Sequence, residues 1–218
     1  MVTLVVWTAP RCVSTAFEKA LAQAQPAVHV FHEPLSHPYY FGAPGERRSS
    51  RYSSSAPEEG PGATVAGTLD AVAAGAPEPG AHTLVKDMAY YLDGRDLRDA
   101  VRRLGKSAVH TFLIRTPLAT VPSLYRASLD AESTGWDSFD KSEVGLGSLR
   151  AMYDAVVQEA GPEAAAPAVL DADDLLAEPE AALRAFCGAA GLPYDGRMLS
   201  WEKGPLPGWD TWGGWHDG

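Results

Sequence analysis

Thr8-Ala9-Pro10-Arg11-Cys12-Val13-Ser14-Thr15 is the stretch on which the fold turns: an apolar run, Val2 to Trp7, enters it and a helical pattern reaching Ala24 leaves it. Val2, Leu4, Val5, Val6 and Trp7 suit a short strand buried on both faces, and Pro10 ends it. From Ser14 onward Ala16, Phe17, Ala20, Leu21 and Ala24 recur at helical spacing, so the first-turn amides of that helix point back into the Pro10 to Val13 loop. Those amides, the positive end of the helix dipole and the Arg11 guanidinium together make an anion site. A plainer reading stands beside it: Thr15-Ala16-Phe17-Glu18 is a capping box, in which Thr15 and Glu18 satisfy each other's backbone amides. The loop lacks the glycines and the Lys of G-x-x-x-x-G-K-[ST], so it is not a Walker A motif.

Working outward, the strand-then-loop pattern repeats. Ala27 to Phe31 is a second apolar run and delivers His32-Glu33-Pro34-Leu35-Ser36-His37-Pro38-Tyr39-Tyr40. His32, Glu33 and His37 do not make H-E-x-x-H, because the two His are five apart with Pro34 between them. Glu33 reads either as a solvated loop carboxylate or as a base held at the end of a buried strand. Residues 42–62 are rich in Gly, Pro, Ser and Arg without a hydrophobic period, a loop of roughly twenty residues and thus a lid in form. Arg47, Arg48 and Arg51 within it either meet an anionic substrate or form a solvated basic face.

A helix from Thr64 to Ala74 follows, then a third strand, His82 to Val85, which presents Lys86-Asp87-Met88 at its carboxyl end. That end is the ligand-binding edge of an open α/β sheet. Asp93 is expected to cap a helix through Leu104; a fourth strand, Ala108 to Ile114, ends in Arg115-Thr116-Pro117 at the start of a helix reaching Leu129. Lys141 to Ala160 reads as one helix, Ala168 to Leu170 as a fifth strand, Asp171 to Asp174 as a capping turn, and Glu178 to Ala190 as a last helix. Trp201, Trp209, Trp212 and Trp215 in the tail are expected to close over core or ligand. Strands alternating with helices give a parallel α/β sheet flanked by helices, as one domain over residues 1–218.

Composition limits the partners. The chain has 218 residues, a formal net charge of -10 and 45% hydrophobic residues, so a nucleic-acid groove is not expected. No apolar run approaches the roughly 20 residues of a membrane span. The opening strand has neither a basic n-region nor a small-residue cleavage site, which makes a cytoplasmic enzyme the expectation. Cys12 and Cys187 are the two cysteines, without C-x-x-C spacing, so neither a disulfide framework nor a metal site is expected.

The ordered set resembles the PAPS-dependent sulfotransferases, in particular a bacterial group whose nucleotide loop reads P-R-x-x-S-T, and does so over nearly the whole chain. Pro10 to Thr15 looks like the family's 5'-phosphosulfate loop. Ile114-Arg115-Thr116-Pro117 through Ser123-Leu124-Tyr125-Arg126 looks like its 3'-phosphate motif, and the segment Asp171 to Trp201 is similar to its closing segment. The resemblance implies a fold related to P-loop nucleotide kinases. It also implies sulfuryl transfer from PAPS, leaving PAP, to a hydroxyl or amine of a small organic acceptor, with no metal.

By position, Arg11 and the amides of Cys12, Val13, Ser14 and Thr15, with the two hydroxyls, would hold the phosphosulfate, and Arg115 and Ser123 the 3'-phosphate. Lys86 would lie near the transferring group, Glu33 would be the base, and Arg11 a fixed charge, since it is no proton donor. His32, His37, Tyr39, Tyr40, Arg51 and Asp87 are expected on the acceptor side, and an apolar site lined by Tyr and Trp suggests a small organic alcohol, a lipid or a secondary metabolite. Alternation along extended chain sets Asp87 opposite Lys86 and, if Glu33 faces inward, sets His32 outward. The chain departs from the small-molecule enzymes of animals in having Asp87-Met88 after Lys86 instead of Thr-His. The rival readings are an ATP-dependent kinase of P-loop type, whose Lys-Ser/Thr signal is missing, and a non-catalytic nucleotide-binding protein.

Overall fold

The computed structural model describes residues 2–202, Gly204 and Trp209; Trp212 and Trp215 lie outside the described residues. The chain runs β1 (Thr3–Thr8), α1 (Ser14–Ala22), β2 (Val28–His32), α2 (Ser36–Phe41), α3 (Val65–Ala74), β3 (His82–Met88), α4 (Leu97–Arg103), β4 (Ala108–Ile114), α5 (Pro117–Ala127), α6 (Ala131–Thr134), α7 (Leu146–Ala160), β5 (Ala168–Asp171), α8 (Ala172–Ala177) and α9 (Pro179–Ala190). The strands form one parallel sheet in the order β2-β3-β1-β4-β5, flanked by helices. β1 is central, which is why it is buried on both faces: Leu4, Val5, Val6 and Trp7 are each 2% exposed or less. Chain order reverses at β1, because β2 and β3 lie on one side of it and β4 and β5 on the other. In an open α/β sheet the crevice outside the carboxyl ends at such a reversal takes ligands.

Register decides which side chains share a face. Val6, Lys86 and His32 are aligned across β1, β3 and β2, and Trp7 and Asp87 are aligned one step on, so they point to the opposite face. α1 lies over the Lys86 face, with Phe17 and Leu21 each 1% exposed and Phe17 packed edge-on against Phe186 of α9 at 4.8 Å. Burial of two such side chains contributes roughly 1.5 to 3 kcal/mol each. That is enough to keep the helix start fixed beneath a strained loop.

Three local expectations are corrected. Glu18 takes no part in a capping box; the N-cap is Val13 in left-handed conformation with no side-chain cap bond, and Glu18 is turned inward at 1% exposed. Asp93 ends a 3-10 turn, and the cap of α4 is Asp96, whose carboxylate accepts from the Arg98 and Asp99 amides. The expected helix from Lys141 is broken at Gly145, which has φ 70°, into a 3-10 turn and α7. A Cβ on Gly145 would stand 3.0 Å from the Tyr90 ring and 3.5 Å from Pro10, so the break brings the residues before α7 against the first loop. Among the described residues no helix is long and apolar enough to cross a membrane.

Candidate active site

A cavity of about 540 Å³ opens at the carboxyl ends of β1 to β4. One end is cationic, lined by Arg11, Ser14, Thr15, Arg115, Ser123 and Arg126; the other is aromatic and acidic, lined by Glu33, Tyr40, Tyr90, Tyr91, Trp136 and Glu143.

The cationic end is built by the first loop. Arg11 has φ 66° and Val13 φ 64°, so two residues with side chains occupy the left-handed region on either side of Cys12. Each costs on the order of 1 to 3 kcal/mol, strain that persists where the surroundings over-determine it. Alternation of this kind can turn successive amides to one side, a geometry able to seat an anion at the α1 N-terminus. Cys12 itself is 0% exposed and does not line the cavity, unlike Arg11, Val13, Ser14 and Thr15. The Arg11 Nε donates to Ser123 Oγ at 3.0 Å, and Arg115 donates to the Arg11 carbonyl at 3.3 Å and to Asp173 at 3.3 Å. The loop after β1 and the motif after β4 are thereby one unit. Burial, then Arg115 and Arg126, push Arg11 below its ordinary value. A polyanion seated among three guanidinium groups offsets that repulsion.

At the other end Glu33 sits on a turn built for it. Its φ is 46°, its amide donates to the Lys86 carbonyl at 2.8 Å, and its carbonyl accepts from Ser36 Oγ at 2.6 Å. Beneath it the Asp87 carboxyl accepts from the Leu35 and Met88 amides, both at 3.0 Å. Asp87 is 0% exposed and on the opposite face from Lys86, as alternation predicts, and burial pushes its carboxyl well above the ordinary value. It holds the turn and does not line the cavity.

The Glu33 carboxylate lines the cavity, pairs through Oε1 with the Lys86 ammonium and accepts the Tyr91 hydroxyl on Oε2 at 2.8 Å. Lys86 is 1% exposed and stands behind Glu33, off the cavity wall. Burial alone would depress its ammonium, but Glu33 and then Glu18 outweigh this and hold it above the ordinary lysine value. Glu18 Oε2 lies 3.6 Å from Lys86 Nζ and 2.7 Å from His32 Nδ1.

With Glu33 inward His32 is indeed off the cavity, but alternation is not the reason, and its ring is buried and not outward. The left-handed turn breaks the alternation, and both residues converge on the Lys86 cluster from different sides. His32 is beneath α1, against Trp209 at 4.9 Å, away from the cavity.

The remaining acceptor-side residues divide. Tyr40 lines the cavity, its hydroxyl 2.9 Å from that of Tyr90 and 3.2 Å from Glu143. Burial above all raises the phenols of Tyr40, Tyr90 and Tyr91 well above their ordinary value, so they stay protonated. Tyr39 packs edge-on behind Tyr40 and Tyr90, and His37 faces outward against Glu58 at 3.0 Å; neither lines the cavity. Arg51 reaches in from the 42–62 loop to bind both Glu143 oxygens, at 3.0 and 2.5 Å, with its guanidinium 3.7 Å above Trp136. Sequence reasoning passed over Glu18, Tyr90, Tyr91 and Glu143. Among the described residues no cluster of three His, Cys, Asp or Glu side chains is arranged for a metal ion.

A family described as "Sulfotransferase domain" matches residues 2–217. Branched-chain-amino-acid aminotransferase-like protein 2 of Arabidopsis thaliana is 39% identical over 106 residues, 49% of this chain and 17% of that protein. Sulfotransferase ppzF of Metarhizium rileyi is 32% identical over 103 residues, 43% of this chain and 30% of that protein, and its namesake in Metarhizium majus is 33% identical over the same shares. The matched stretches thus span less than a third of each of these relatives.

Proposed function

The chain belongs to the sulfotransferase-domain family, and from that premise we propose that it moves a sulfuryl group from PAPS to a hydroxyl, or an amine, of a small organic acceptor. The observation that carries this reading is the polarity of this cavity: a strained loop with three arginines at one end and a buried, paired carboxylate among aromatic rings at the other. PAPS supplies the sulfuryl group, whose S–O bond to the 5'-phosphate breaks as a new bond to the acceptor forms, S–O to a hydroxyl or S–N to an amine. Arg11 and the amides of Cys12 to Thr15 hold the phosphosulfate, and Arg115 and Ser123 hold the 3'-phosphate. Arg126, on the same wall, adds a third guanidinium. These cations neutralise charge on the oxygens, as pre-organised donors do in phosphoryl transfer. Glu33 takes the proton that the acceptor loses, and Lys86 acts on the reaction through Glu33.

A thermal-shift comparison of PAP, PAPS, ATP and NAD tests the nucleotide class: stabilisation by PAP supports it, and stabilisation by ATP alone replaces it with a kinase. Calorimetry sharpens the result. PAP should bind far more tightly than AMP, and Arg115→Ala should weaken PAP selectively by about 2 to 3 kcal/mol, the worth of a charge-assisted contact. Equal affinity for PAP and AMP overturns the 3'-phosphate assignment.

The 42–62 loop completes the reading as an acceptor-side lid. Its Arg51 is bound to Glu143 across the aromatic end, so lid and acceptor share a wall. Limited proteolysis should cut the loop readily in the free protein and more slowly with PAP and an alcohol acceptor together. Equal cutting in both states makes it a plain connection.

A further inference from the structure

The buried cluster holds two carboxylates for one ammonium. Lys86 sits between Glu33, on the cavity wall, and Glu18, on the buried side of α1. Glu18 and Lys86 are each 1% exposed, and Glu18 Oε1 has no hydrogen-bond partner among the described residues. A second buried carboxylate with one oxygen unsatisfied is a poor device for stability alone, because its desolvation is met through one oxygen only, by His32 Nδ1 at 2.7 Å and Lys86 Nζ at 3.6 Å. It has a use during the reaction. When Glu33 takes a proton it becomes neutral, and an ammonium paired with Glu33 alone would then be left buried and uncompensated.

We propose that Glu18 is the standing counter-ion of Lys86, keeping it paired while Glu33 is protonated, and that His32 positions Glu18 for this. This rests on the reading of Glu33 as the base. Before transfer, Lys86 faces Glu33 and Glu18, one negative charge in excess; after the acceptor's proton has moved to Glu33, Lys86 faces Glu18 alone, and the pair is charge-balanced. His32 binds the same oxygen, Oε2, that faces Lys86, and the register of β2 on β3 sets His32 directly beside Lys86. Trp209 packs against His32, and Lys19 lies 5.1 Å above the Trp209 ring, which fixes the imidazole from outside. Neither Glu18 nor His32 lines the cavity, so both are positioning residues, and their loss should touch the rate without touching binding.

The test measures conversion of PAPS to PAP, in water and with phenol, benzyl alcohol and cyclohexanol as acceptors, for Glu18→Gln, Glu33→Gln, His32→Leu and His32→Asn. Glu18→Gln keeps the shape and removes the charge; it should lower kcat about 10- to 100-fold while the PAP Kd and the acceptor KM stay within about 2-fold of the parent. His32→Leu should lose about 10-fold in kcat. His32→Asn, which offers an amide N–H where the imidazole offers Nδ1, should recover most of it, a rescue that loss of packing alone does not give. If Glu33→Gln is dead and Glu18→Gln turns over like the parent, the counter-ion proposal is overturned and the base assignment stands. If Glu33→Gln is itself fully active, both fall together. Should Glu18→Gln not fold, the two His32 variants decide: equal activity of Leu and Asn overturns the proposal.

Discussion

Glu33→Gln should lower kcat by roughly 10² to 10⁴, the range that general-base catalysis supplies, and leave PAP affinity nearly intact. Gln keeps the length of the side chain and an oxygen for the Tyr91 hydroxyl, so the turn held by Ser36 and Asp87 is undisturbed. What is lost is the proton acceptor on the cavity wall. The comparison variants are set by position. Asp87 lies under the sheet edge on the face away from Lys86, and His37 faces outward against Glu58, so neither reaches the cavity. His37→Asn should be close to the parent in rate, and Asp87→Asn should act mainly on stability, because its carboxyl caps two amides. A dead His37→Asn with an active Glu33→Gln would move the base and leave the nucleotide assignment standing.

Lys86→Met should cost about 3 to 5 kcal/mol of folding stability, because it strips a buried ion cluster of its cation and leaves Glu33 and Glu18 facing each other. Urea unfolding measures it. Adding Glu33→Gln to Lys86→Met should return part of the loss, since neighbours in one network are not additive. The pH dependence has a definite sign. The folded-state value of Lys86 lies above its ordinary 10.5, so its contribution is complete below that range and is lost as pH rises through the folded value. The parent's Lys86 contribution should therefore be constant between about pH 7 and 9. A variant as stable as the parent would mean that the ion cluster adds no net stability.

Much of this was legible where side-chain chemistry follows a strand. β-branched runs marked the strands, and each strand end carried its charged residue in plain view: Arg11 after β1, Glu33 after β2, Lys86 in β3, Arg115 after β4. Glu18 was hidden by a coincidence of spacing, for a carboxylate three residues after Thr15 fits a capping box as well as a buried contact. Its place on the same stripe as Phe17 and Leu21 was the signal available, because an acid within an apolar stripe must find a partner inside. Glu143 was lost when a helix was read through Gly145, although a glycine followed by Leu146 is a common helix start. His32 was misplaced because alternation assumes extended backbone, and Glu33 at φ 46° is not extended. Tyr90 and Tyr91 form a 3-10 turn after β3, where no periodicity exists to single them out.

The curve of the first loop is drawn by Arg11 and Val13 at positive φ, without a single glycine between Thr8 and Thr15. A search for such curves by their glycines would therefore pass over this chain, whereas a search by positive φ would find it. Kinship among such cradles is a likeness of contour, and unrelated alphabets can write the same contour so long as a well-anchored helix stands behind it.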